Sequence, residues 1–212
     1  MGMKRVAATV VAAVALSGAP AVMTSASAAP GVCSGVKSCK VVARVDVDGD
    51  GRKDQVGLVQ RTSYPQNSTI TIRVRTAKGR TMKTSHKATW YGSAWHGAAK
   101  IDGRAGRELV VGSSAGAHAK FFRVVTYRSG KLVTLKAPGG ARTWWIDGSY
   151  SMNGGWFRST SRGKVYMTSK SATRNWSTSG HDLRVTKYQW TSNRWKRSSS
   201  KRTPRASNKQ AY

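Results

Sequence analysis

The chain has 212 residues, 37 of them Lys or Arg against 8 Asp or Glu, for a formal net charge of +29. Beyond residue 28 no apolar run approaches the ~20 residues that a membrane-spanning helix needs, which excludes such a helix there. The charge favours polyanionic partners, namely cell-wall polymer, nucleic acid, acidic polysaccharide or anionic headgroups, although it also serves simply to keep an exported protein soluble or close to an anionic envelope.

In chain order the first feature is a leader. Lys4 and Arg5 precede a run of 11 residues, Val6 to Leu16, apolar except for Thr9, which Ser17, Gly18 and Pro20 end before the small-residue sequence Ala26-Ser27-Ala28. A charged start, a short apolar stretch and an A-x-A site predict a signal peptide over 1–28, and hence a protein secreted or retained at the cell envelope. Cys33 and Cys39 follow directly, and are the 2 cysteines of the chain. In an exported chain they most simply form one local disulfide, tying down a short N-terminal segment over 29–40.

From 41 to 197 the sequence alternates short β-type runs with Gly, Ser and Asn. Val41–Val45, Gln55–Val59, Ser68–Arg75, Glu108–Val111, Phe121–Tyr127, Val165–Thr168 and Leu183–Tyr188 carry the period-2 or β-branched signature of strands. No 3.6-residue apolar period persists, so the domain reads as all-β. The runs recur in order. Val47-Asp48-Gly49, Ile101-Asp102-Gly103 and Ile146-Asp147-Gly148 stand 54 and 45 residues apart, and each precedes a strand and then a strand pair. Such a period predicts three propeller-blade-like antiparallel repeats, with a Gly/Ser-rich insertion over 149–162 in the third. Residues 198–212 are basic, without acids and with little to bury, and predict a disordered tail.

Asp46-Val47-Asp48-Gly49-Asp50-Gly51-Arg52-Lys53-Asp54 holds 4 of the 8 acidic residues. Carboxylates at Asp46, Asp48, Asp50 and Asp54, with the Arg52 carbonyl, can wrap a hard cation in oxygen, and Gly51 permits the turn. Calcium suits such a set better than magnesium, which retains more water. The alternative is an Asp/Gly-rich turn paired with Arg44, Arg52 and Lys53. Gly57 in place of a twelfth-position Glu, together with flanking strands, excludes an EF-hand.

The loop and the strand Gln55–Val59 behind it resemble the FG-GAP or VCBS-type repeat of integrin alpha-chain propellers and many bacterial secreted proteins. The resemblance implies blades with calcium bound between strands, and Asp46, Asp48, Asp50, Arg52 (through its carbonyl) and Asp54 as ligands. The second loop keeps acids only at Asp102 and Glu108, and the third only at Asp147, so one structural calcium is expected. Three units cannot close a seven-bladed ring, which implies a partial or open propeller or else a sandwich, with an edge free for self-association.

Catalytic patterns are sparse. His86, His96, His118 and His181 share no ligand spacing, and Gly112-Ser113-Ser114-Ala115-Gly116 lacks the helix that a nucleophile elbow requires. The favoured expectation is a non-catalytic binding module for an anionic polymer. A carbohydrate-binding module using exposed tryptophan is the alternative, with a hydrolase around His118 or His181 behind it. Of the 8 tryptophans, most read as core, and Trp156 in the Gly-rich insertion is the candidate for ligand stacking.

Overall fold

The structure, a computed structural model, describes residues 30–63, 67–149 and 151–211, so the expected leader lies outside the described residues. The chain is all-β as expected. Strands β1 (Cys39–Val45), β2 (Asp54–Ser63), β3 (Asn67–Arg75) and β4 (Thr81–Ala88) form a four-stranded antiparallel sheet in sequential order. Ile70, Ile72 and Val74 alternate inward along β3, and Thr71 and Arg73 lie between them on the wetter face.

The second sheet holds β5 (Trp95–Ala99), β6 (Glu108–Ala115), β7 (Ala119–Arg128), β8 (Lys131–Thr134), β9 (Trp144–Gly148), β10 (Met152–Ser161), β11 (Lys164–Arg174), β12 (His181–Thr191) and β13 (Arg194–Ala206). Its order is β13-β12-β11-β10-β9-β7-β6-β5, and it does not close on itself. One edge of β7 is shared: Ala119–Phe122 pair with β9, and Val125–Arg128 pair with β8. The main buried cluster spans both sheets, taking in Ile70, Ile72 and Val74 of β3 together with Leu109 and Val111 of β6 and Val124 of β7.

Cys33 and Cys39 form the expected disulfide. The bridge lies over Gly57 of β2, where an added Cβ would come within 3.0 Å of Cys39 Sγ. Val32 is buried beside it; its N–H donates to Gln55 Oε1 (3.0 Å), and its carbonyl accepts from Arg73 Nε (3.0 Å). The N-terminal segment is thereby fixed onto β2 and β3. Among the described residues no helix is long and apolar enough to cross a membrane.

Two expectations need correction. The presumed insertion over 149–162 contains β10, which pairs with β11 from Met152 to Ser161 across a tight turn at Arg162 and Gly163. Gly154 in it permits a close approach of strands: an added Cβ there would sit 2.0 Å from the Lys170 carbonyl oxygen. The basic tail is also ordered. β13 continues through Ala206 along β12, and the short α1 (Asn208–Ala211) packs back on it. The ladder to β12 satisfies the tail's backbone, and Ala206 and Ala211 pack with Ala172 and Leu183. Pro204 fits because β13 is an edge strand and the register shifts near that position.

Candidate metal centre and the loops around it

The β1–β2 loop is built by its own side chains. Asp46 Oδ1 accepts from Gly49 N–H (2.7 Å), and Oδ2 accepts from Gly51 N–H (3.0 Å). Asp48 Oδ1 accepts from Asp50 N–H (3.2 Å), and Asp50 Oδ1 accepts from Arg52 N–H (3.0 Å). Gly49 and Gly51 both take φ = 82°, a region that side chains disfavour. The fold-back draws Asp46, Asp48 and Asp50 together, each offering one carboxylate oxygen, and these oxygens lie within 4.8 Å of one another. A cation with oxygen ligands at ~2.3–2.6 Å fits a set so spaced, and this cluster can hold a metal ion.

The electrostatics show what the cluster lacks. Burial pushes the Asp48 carboxyl above its ordinary range; the Asp50 N–H opposes this, and the charges of Asp54, Asp50 and Asp46 add to it. The Arg52 N–H, helped by Lys78, holds Asp50 below the ordinary range. Lys78 Nζ stands 3.2 Å from Asp50 Oδ2. Among the described residues that oxygen has no hydrogen bond of good geometry, so the lysine supplies charge without completing the site. Lys78 comes from the β3–β4 turn and was not visible in the loop's own sequence.

Asp54, the fourth acid expected as a ligand, is not part of this convergence. It is fully buried, with Oδ2 accepting from the N–H groups of Val47 (2.8 Å) and Asp48 (3.3 Å) and Oδ1 from Ala77 N–H (2.9 Å). It therefore ties the loop to the β3–β4 turn. Arg52 reaches that turn through its guanidinium, at 3.5 Å from the Ala77 carbonyl.

The β5–β6 loop repeats the arrangement with a different outcome. Glu108 Oε2 accepts from Ile101 N–H (2.7 Å) and Asp102 N–H (3.4 Å), seven and six residues back, the separations that Asp54 uses. Its other oxygen accepts from the Thr126 hydroxyl at 3.1 Å. Burial raises the Glu108 carboxyl; the Ile101 N–H opposes this, Asp102 adds to it, and Thr126 and the Asp102 N–H oppose it further. Asp102 Oδ1 accepts from Arg104 N–H (2.7 Å), and Oδ2 bonds the Arg128 guanidinium. Here a protein cation takes up the carboxylate charge. In the third loop Asp147 Oδ1 accepts from Ser149 N–H (2.9 Å), the same two-residue turn.

The loops touch in series. A Cβ on Gly49 would lie 2.7 Å from Ala105 Cβ, and one on Gly106 would lie 2.5 Å from the Val47 carbonyl oxygen. Arg107 N–H donates to the Asp46 carbonyl (2.8 Å). Beyond them, Arg104 Nε donates to Asn193 Oδ1 (2.8 Å) on the β12–β13 turn.

Other residues singled out from sequence fall elsewhere. Trp156 is half-buried in an aromatic cluster with Trp144 (5.4 Å between ring centroids), Trp145 and Tyr188, because its segment is a strand and not a loop. The most exposed tryptophan is Trp176, at 74%. His118 is exposed on the β6–β7 turn. His181 is buried at the start of β12, and Asp182 next to it pairs with Arg202 at 3.2 Å. Comparison with family models, curated proteins and solved structures gives no match.

Replacing Asp54 with Ala leaves three loop N–H groups without their acceptor, and is expected to cost at least about 2 kcal/mol in chelator. Asp48→Ala under the same conditions is expected to cost less than about 0.5 kcal/mol, since it also removes repulsion. Guanidinium unfolding of both variants measures the difference, and equal costs would refute the division of roles.

Proposed function

We propose that the protein is an exported, non-catalytic binding module that recognises an anionic polymer of the cell envelope and carries one structural calcium in the Asp46–Asp48–Asp50 loop. The observation that supports this reading most is how the few acids are used. Asp54, Asp102 and Glu108 are buried within the fold, Asp46, Asp48 and Asp50 face one another, and Asp182 is paired with Arg202. Little negative charge is left to offset the surface lysines and arginines, so the molecule presents a largely uncompensated positive field. The disulfide is consistent with an oxidising compartment.

The FG-GAP-type reading draws support from the shared hydrogen bonds of the first two loops and from the two meanders β1–β4 and β5–β8. Calcium is favoured over softer metals because every converging donor is a carboxylate oxygen. The free edge of β13 carries Lys196, Arg197, Lys201 and Arg202, whose like charges oppose pairing of two copies along it. That edge forms no part of the proposal.

Millimolar calcium is expected to raise the melting temperature of the purified chain relative to chelator, and Asp48→Ala to abolish the rise. A melting temperature indifferent to calcium in the unaltered chain would remove the metal from the account. Binding to an immobilised polyanion is expected to weaken at least about tenfold between about 50 and about 200 mM salt. Salt-independent retention would show that the charge is incidental to recognition.

A further inference from the structure

A cleft of about 500 Å³ opens between the β8 end and the β12–β13 turn. Its volume lies in the ~300–1,000 Å³ range of small-ligand sites. Four cations line it, Arg104, Arg128, Lys136 and Arg194, and no carboxylate does among the described residues. Arg128 is already matched, since it bonds Asp102 and the Thr126 hydroxyl. Arg104 is oriented by a neutral acceptor, Asn193 Oδ1, and so keeps its charge. Lys136 and Arg194 are exposed, and neither they nor Arg104 enter an ion pair among the described residues.

The rest of the wall is apolar and aromatic. Trp190 and Trp195 meet edge to face with centroids 4.9 Å apart, and Val133 lies on the opposite strand with 37% of its surface exposed. The Trp195 indole N–H has no acceptor among the described residues. Unmatched cations beside indole and aliphatic surface suit a ring that is apolar on its C–H face and carries an anionic substituent. A nucleobase fits less well: the two indoles, inclined at 66° to each other, do not stack as successive parallel platforms, and the Asn193 amide oxygen that could read a base edge is held by Arg104.

We propose that this cleft binds an acidic sugar unit, with its anionic group between Arg104, Lys136 and Arg194 and its ring against Trp190 and Trp195. The inference rests on the polyanion reading above and locates it: most surface cations concentrate the polymer, and this cleft grips one residue of it.

Calorimetric titration of the full chain tests the assignment with three probes: tetragalacturonate, its neutral methyl ester, and a single-stranded tetranucleotide. Tetragalacturonate is expected to bind and to change tryptophan fluorescence, with the ester and the tetranucleotide at least about tenfold weaker. The double variant Lys136→Ala/Arg194→Ala is expected to lose at least about tenfold in affinity. Lys40→Ala/Lys83→Ala, which removes the same charge from the first sheet, should change affinity less than about twofold. All four residues are exposed, so both variants are expected to keep the parent melting temperature. Equal losses in the two variants would overturn the cleft but leave polyanion binding standing. Comparable binding of the ester would overturn the anionic requirement, and tighter binding of the tetranucleotide would overturn the sugar assignment. Failure of the unaltered chain to bind either anionic probe would overturn the cleft and the polyanion reading together.

Discussion

Antiparallel strands joined by long turns leave loop N–H groups with no ladder partner, and buried ones must find an acceptor or destabilise the fold. In this chain a buried carboxylate at the head of the next strand supplies it, twice. Asp54 accepts from Val47, Asp48 and Ala77, and Glu108 from Ile101, Asp102 and Thr126. Each acid converts a loose crossing into a fixed one. Once both loops are fixed they can pack on each other through Gly49 and Gly106, and the second can reach the β12–β13 turn through Arg104. The candidate metal centre and the basic cleft both depend on that row of loops.

The two loops show how one scaffold manages carboxylate charge in different ways. In the first, three acids converge and Lys78 covers only one of them. In the second, Arg104 occupies the place of the third acid, and Arg128 from β7 bonds Asp102 directly. A loop whose carboxylates converge and a loop whose carboxylate is salt-bridged thus share one backbone arrangement. The difference also shapes the cleft, because the Asp102 that neutralises Arg128 leaves Arg104, Lys136 and Arg194 as its unmatched cations.

Much of this was legible in the sequence. Alternating β-type runs point to the all-β class, the cysteine pair to the N-terminal bridge, and the Asp/Gly spacing to a ligand set of Asp46, Asp48, Asp50, Asp54 and the Arg52 carbonyl, of which the first three converge. The direction of Asp54 was not legible, because a carboxylate near a loop reads alike whether it faces a cation or the backbone. Lys78 and Arg128 arrive from other strands, and no local pattern announces them. β10 and the end of β13 were missed for a shared reason: composition reports what a segment can bury, whereas these strands are ordered by ladder bonds to a neighbour. Glu108 stands at a repeat position in the sequence, but its role as a buried acceptor is visible only in the fold.

Amide hydrogen exchange of the full chain, resolved by residue, tests most directly whether buried carboxylates organise the loops. Val47, Ala77 and Ile101 lie outside the strand ladders, yet each donates to Asp54 or Glu108. Their N–H groups are expected to exchange as slowly as that of Ile72 in the central strand β3. Exchange as fast as in the turn at 91–93 would contradict that role of the carboxylates, and would leave both the candidate metal centre and the cleft without their common support.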